Sequence, residues 1–92
     1  MKIVRINGRD FETEEEVHAY LSEELGFPSY YGKNLSALYA CLTELSDDTR
    51  IILDISETEE DEMIDYLQRM AEVISDAVDA SDYLEMELIE ME

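Results

Sequence analysis

The sequence has few of the residues that build disulfides, metal sites or catalytic groups. It contains one cysteine, one histidine, one proline and no tryptophan among 92 residues. A single thiol forms no internal disulfide, so the secreted scaffolds that depend on several disulfides are excluded. The N-terminus has no apolar signal-peptide core, and no hydrophobic run is long enough to cross a bilayer. We therefore expect a cytoplasmic protein.

Positive charge is also scarce. Six Lys and Arg residues stand against 25 Asp and Glu residues, which gives a formal net charge of −19. Such a chain repels phosphate backbones and anionic membrane surfaces, so binding to nucleic acid or to a membrane is disfavoured. It attracts basic proteins and accelerates their encounter, although solubility alone would also account for the charge. Hydrophobic residues make up 46% of the chain, which is typical of a globular protein and not of a disordered acidic tail.

Residues that could carry chemistry do not form a motif. His18 lies beside the hydrophobic stripe of the first predicted helix, without a nucleophile or acid motif, and we interpret it as an ordinary surface or boundary residue. Cys41 is flanked by predicted core positions, which favours a buried thiol over a nucleophile. The acidic run from Glu57 to Glu62 lacks the glycine of a calcium loop and suits the first turn of a helix. We therefore predict no enzyme activity, no metal and no cofactor.

The hydrophobic pattern predicts a single α/β domain over residues 1–92 with three strands and three or four helices. The strands are expected at Met1–Ile6, Arg50–Ile55 and Tyr83–Glu90. Because helices separate the strands, the sheet should be parallel, with right-handed connections. The third strand alternates apolar residues with glutamates, so one face of the sheet should be wet and the helices should cover mainly the other.

Capping residues mark the ends of the first two helices. Thr13 and Glu16 form a capping box at the start of the first helix, and Gly26 is the expected residue just after its end. Asn34 is a plausible N-cap of the second helix. The core stripe of that helix consists of leucines at positions 35, 38, 42 and 45.

The third helical stretch should begin at a second capping box, formed by Ser56 and Glu59. One break before Asp82 would turn this stretch into two helices. The residues at core spacing along it are Met63, Ile64, Leu67, Met70, Ala71 and Ile74.

The segment Pro28–Thr43, PSYYGKNLSALYACLT, is the main candidate for a binding surface. It carries two adjacent tyrosines in a short loop, and then Tyr39 on the helix face that turns away from the leucine stripe. Aromatic side chains on a rigid turn and helix are typical interface anchors, and packing as lids on the core is the alternative. The segment contains no Asp or Glu, so this surface should be neutral to slightly basic within an acidic molecule.

These residues resemble the barstar family. The stretches that carry the resemblance are INGRDF at 6–11, ELGFP at 24–28 and above all YYGKNLSALYACLTEL at 30–45. The resemblance implies a two-layer α/β domain with a three-stranded parallel sheet. It also implies an inhibitor of a small basic extracellular-type ribonuclease or related toxin, an immunity protein whose loop and helix at 29–44 cap the nuclease active site. We expect it to act as a monomer. By position, the partner-binding residues would be Tyr30, Gly32, Asn34, Ser36, Tyr39, Ala40, Thr43 and Asp76.

The chain departs from the family pattern at the centre of this surface. The type member has an aspartate at the position of Ala40, where it stands in for a substrate phosphate among basic groups of the nuclease. Truncating an interface aspartate of barstar itself is known to cost about 7.7 kcal/mol of binding energy. Lys33 and Ser36 also stand at positions where the family has acidic residues, and Tyr39 stands where the family has a tryptophan. A cognate nuclease should therefore differ from barnase where it meets Ala40.

A second hypothesis follows from the missing central acid. The chain could be a barstar-fold interaction module that no longer inhibits a nuclease. Such a module would regulate another protein or self-associate through a face formed by Tyr30, Tyr31 and Tyr39.

Overall fold

The computed structural model describes residues 1–90, which form one three-stranded parallel sheet and three α-helices. A short 3₁₀ helix at Gly8–Asp10 follows the first strand. This architecture confirms the predicted α/β class. The elements in chain order are β1 (Lys2–Asn7), α1 (Glu14–Leu25), α2 (Leu35–Thr43), β2 (Thr49–Asp54), α3 (Asp61–Ala80) and β3 (Leu84–Ile89).

The sheet has one covered face and one open face. Its strands follow the order β1-β2-β3. The right-handed connections that parallel strands adopt would place all helices on one side of a sheet with this order. Val4, Ile51 and Met86 share one row of the covered face. On the open face Arg50 forms ion pairs with Glu87 at 2.7 Å and with Glu85 at 3.8 Å. The alternation predicted for the third strand therefore marks the two faces correctly.

The predicted caps of α1 are confirmed at both ends. Thr13 Oγ1 accepts a hydrogen bond from the Glu16 backbone amide at 3.2 Å. The Glu16 carboxylate reaches back to the amide of Glu12 at 3.1 Å. Gly26 ends the helix with a φ of 68°, a left-handed conformation that glycine adopts without a steric penalty.

The predicted capping box of the third helix is wrong. Helix α3 begins at Asp61, and its N-cap residue Glu60 makes no side-chain capping bond. Asp54, the last residue of β2, instead holds Ser56 through its carboxylate, which accepts from the Ser56 amide at 3.0 Å and from its hydroxyl at 2.6 Å. A side chain engaged at the end of the strand is not available to start a helix. From Asp61 the helix runs to Ala80 without a break.

The core lies between the helices and the covered face of the sheet. Leu38 and Leu42 of α2 are fully buried, and Leu35 and Leu45 pack against the core from its edge, as the leucine stripe predicts. Helix α3 contributes the largest set of buried residues, which are Met63, Leu67, Met70, Ala71, Ile74 and Ala77. Within residues 1–90 there is no helix long and apolar enough to span a membrane.

Candidate functional site

In the tight turn between α1 and α2, the side chains of the two adjacent tyrosines point in different directions. The Tyr31 amide donates to the Pro28 carbonyl at 3.0 Å and closes the turn. Tyr30 then points to solvent and is 85% exposed, while Tyr31 points inward and is only 8% exposed. The Tyr31 ring packs against Phe27, with ring centroids 4.9 Å apart. Of the two roles considered for these tyrosines, Tyr30 takes the exposed one and Tyr31 takes that of a lid on the core.

His18 is the hydrogen-bond partner of Tyr31, and the interpretation of His18 as a surface or boundary residue is wrong. Its side chain is 1% exposed. Nδ1 lies 2.6 Å from the Tyr31 hydroxyl, and Nε2 lies 2.5 Å from the Tyr66 hydroxyl on α3. The two partners are 13 and 48 residues away in the chain, so helical periodicity within α1 carried no sign of them. One feature of the sequence did indicate that His18 is buried. His18 lies three residues before Leu21, which places both on one helix face.

A neutral His18 satisfies both tyrosines. One ring nitrogen carries a hydrogen and donates to one hydroxyl, and the other accepts from the second hydroxyl. Burial and the positive charge of Lys33 lower the pKa of His18. Burial also raises the pKa of the Tyr31 phenol, so it keeps its hydrogen. Protonation of the imidazole would make both ring nitrogens donors, so the hydroxyl that donates to the neutral ring would have to accept instead and turn its own hydrogen away from its partner.

The stability of the fold should therefore decrease as the pH falls below about 6.5, the usual pKa of an exposed histidine. Between this value and the lowered pKa of folded His18, the unfolded chain binds the proton and the folded chain does not. The stabilisation is complete above about pH 6.5 and is lost progressively below it, by at most about 1.4 kcal/mol per pH unit. Urea unfolding between pH 7.5 and 5.5 measures this slope.

The control for this pH dependence is His18→Gln, which cannot titrate. Any slope that the carboxylates contribute should remain in the variant and can be subtracted. An equal slope in the variant and in the parent protein would contradict the assignment to His18.

The outward face of α2 presents small and aromatic side chains. Tyr39 is 40% exposed, and Ser36 and Ala40 are exposed beside it. Thr43 is half-buried, and its hydroxyl donates to the Ala40 carbonyl at 3.0 Å, so its hydrogen is already used within the helix. The four residues lie away from the buried leucines, as the helical spacing predicts.

Two of the predicted contact residues shape the start of α2. The Asn34 side chain accepts from the Ala37 amide at 2.8 Å and donates to the Gly32 carbonyl at 3.3 Å. Asn34 is thus the N-cap that the sequence predicts. A Cβ atom at Gly32 would lie 3.1 Å from the Asn34 amide nitrogen and would press on this cap. Both residues are exposed, but the Asn34 side chain is largely committed to the local structure.

A groove between α2 and α3 brings Asp76 to the same surface. The groove has a volume of about 310 Å³ and is lined by Ser36, Tyr39 and Asp76 over an apolar base of Leu35 and Val73. The contribution of Val73 could not be recognised in advance, because the sequence does not show how two distant helices pack. We refer to the exposed residues Tyr30, Ser36, Tyr39 and Ala40 together with this groove as the α2 surface.

The α2 surface is poor in acid although the chain is rich in it. No Asp or Glu occurs between Pro28 and Thr43. The carboxylate of Asp76 therefore reaches the groove from another helix. The arrangement offers an aromatic ring, a hydroxyl and one carboxylate around an open groove.

Other residues that could carry chemistry do not form a second site within residues 1–90. Burial and the nearby Glu44 raise the pKa of the Cys41 thiol, which keeps it protonated and a weak nucleophile. Cys41 is half-buried and not fully buried as expected. Asp61 and Glu62 lie in the first turn of α3, and Glu57 pairs with Arg9 at 2.8 Å. Within residues 1–90 there is no cluster of His, Cys, Asp or Glu that could hold a metal ion.

Comparison with known families gives a match over nearly the whole chain. A family model described as "Barstar (barnase inhibitor)" matches residues 1–90. The matched range contains all three strands, all three helices and every residue of the α2 surface.

A curated relative matches over a shorter range. This protein of Bacillus subtilis (strain 168), named "Putative ribonuclease inhibitor YrdF", is 54% identical over 43 residues. The matched part covers 47% of this chain and 47% of the relative, so about half of each protein is involved.

Proposed function

The chain belongs to the barstar family, and we propose that it inhibits a small basic ribonuclease or related toxin nuclease. In this proposal the segment 29–44 and Asp76 cover the active site of the nuclease and exclude RNA. The family match over residues 1–90 is the observation that carries the proposal. The name of the Bacillus subtilis relative, a ribonuclease inhibitor, supports it over about half of the chain.

The groove supplies a plausible contact with such an enzyme. A nuclease that binds the phosphates of RNA presents arginine or lysine side chains in its active site. The guanidinium of an arginine could stack on the Tyr39 ring and pair with the Asp76 carboxylate, while its aliphatic stem packs on Leu35 and Val73. An arginine held in this way is no longer available to RNA.

Net charge supports the encounter between the two proteins. A chain with a formal charge of −19 attracts a basic partner over a distance of about one Debye length, near 8 Å at physiological salt. Such attraction raises the association rate more than it raises the final affinity.

We propose that the inhibitor acts in the cytoplasm as a monomer, protecting the cell that makes the nuclease.

Self-association through three tyrosines is not supported by the structure. Tyr31 is buried and bonded to His18, so the face expected for such a dimer contains only Tyr30 and Tyr39. The family match and the name of the relative favour an inhibitor over an interaction module that has lost inhibition.

Titration calorimetry with a panel of barnase-type ribonucleases, and with any basic toxin encoded beside the gene, tests the proposal. We expect a 1:1 complex with at least one enzyme, together with loss of RNA cleavage at equal concentrations. If none of the enzymes binds and none is inhibited, the proposed function is wrong.

A further inference from the structure

Lys33 has a backbone conformation that is unfavourable for a lysine. Its φ is 53°, and among residues 1–90 it is the only non-glycine residue with a positive φ. In this region the Cβ atom of an L-residue approaches the following carbonyl oxygen, and a glycine would adopt the same conformation without that penalty. Strained residues of this kind cluster at functional sites. The strain marks position 33 as a candidate functional position.

Lys33 also differs from the arginines in its electrostatic surroundings. Each arginine in the described part of the chain has a carboxylate partner, and the pairs are Arg5–Asp54, Arg9–Glu57, Arg50–Glu85, Arg50–Glu87 and Arg69–Asp65. Lys33 is exposed and, like Lys2, forms no ion pair with any residue in 1–90, but Lys33 alone lies in the candidate binding segment, which contains no acid. A chain with 25 acidic residues thus leaves this ammonium group without a carboxylate partner. The charge of Lys33 is near enough to His18 to contribute, after burial, to the lowered pKa of that residue.

We propose that Lys33 is a specificity-determining residue that pairs with a carboxylate on the nuclease. The loop at 29–33, next to the α2 surface, would then select an enzyme that carries an acidic residue beside its active site. An ammonium group is a compact point charge, and it is costly to bury against another cation. Nucleases that present a basic residue there would be rejected, although their overall charge attracts them. This inference rests on the proposed function.

Four substitutions test it by calorimetry and stopped-flow kinetics on a nuclease that binds the parent protein. Lys33→Glu should weaken binding by about 30-fold or more, mainly through faster dissociation. Lys33→Gly removes the charge and the strain, so it should weaken binding about 10-fold while raising the melting temperature. Lys33→Arg should keep most of the affinity.

The matched control is Lys2→Glu. Lys2 is exposed, forms no ion pair within the described residues and lies in β1, outside the α2 surface. This substitution changes the net charge by the same amount as Lys33→Glu, and we expect the affinity to change less than threefold.

The outcomes separate this inference from the proposed function. If the parent protein binds a nuclease and Lys33→Glu binds it equally well, Lys33 does not determine specificity and the inhibitor function stands. Equal losses in Lys33→Glu and Lys2→Glu would indicate long-range attraction and would also overturn the inference. If the parent protein binds no nuclease, both proposals are wrong.

Discussion

Replacing Tyr39 with alanine should weaken binding to the proposed nuclease partner by about 2 kcal/mol or more, which is roughly 30-fold in affinity. Tyr39 forms the aromatic wall of the groove that contains Asp76, and it is 40% exposed in the free protein. A partner side chain in the groove would bury the rest of the ring. Aromatic anchors that become fully desolvated in this way dominate the energy of protein interfaces.

The fold should tolerate this substitution. Tyr39 lies off the buried leucine stripe, so its removal leaves no cavity in the core. Tyr83 provides a matched control, because it is 46% exposed and lies next to β3, outside the α2 surface. Tyr83→Ala should leave the affinity unchanged. Calorimetry measures the affinity of both variants, and circular dichroism checks that both are folded. If Tyr39→Ala weakens binding no more than Tyr83→Ala does, Tyr39 is not part of the binding site.

His18→Ala should destabilise the fold by about 3 kcal/mol. The substitution removes a fully buried ring and leaves the hydroxyls of Tyr31 and Tyr66 without their partner. A buried polar group such as the Tyr31 hydroxyl costs about 1–3 kcal/mol when it loses its partner, the half-buried Tyr66 hydroxyl costs less, and the cavity adds to the total. For a chain of this size the melting temperature should fall by roughly 12–24 °C.

Tyr66→Phe is the control that isolates one hydrogen bond. It keeps the ring in place and removes a single hydroxyl from His18, so it should destabilise by about 1 kcal/mol. Urea unfolding at pH 7.5 compares the two variants. A loss below about 1 kcal/mol for His18→Ala would mean that the cluster contributes little to stability.

Local signals in the sequence predicted most of the fold. The caps at Thr13, Gly26 and Asn34 and the leucine spacing of α2 each depend on residues within a few positions of one another. The covered and open faces of the sheet followed from the alternation in β3, because successive residues of a strand point to opposite faces. The predicted capping box at Ser56 was wrong because a serine side chain can bond to any nearby partner. Here its hydroxyl donates to the Asp54 carboxylate and does not cap α3.

The site was predicted less completely, because its parts come from distant segments. The sequence pattern marked the exposed face of α2, but the groove also needs Val73 and Asp76 from α3. The two tyrosines at 30 and 31 are adjacent and identical in type, so no local pattern could tell which one is buried. The turn closed on Pro28 decides this by directing one ring to solvent and the other to His18.

The parallel register of the sheet has a consequence for folding kinetics. Lys2 pairs with Thr49, and Thr49 pairs with Leu84, so no strand pairs with another that lies close to it in the chain. Each pairing must close a long loop, and sheets of this kind form slowly compared with helices. Because the groove lies between helices from two successive crossovers, it is complete only when both crossovers have docked. A partly folded chain would display Tyr30 without the groove, and it should lack the proposed inhibitory activity until α3 has docked.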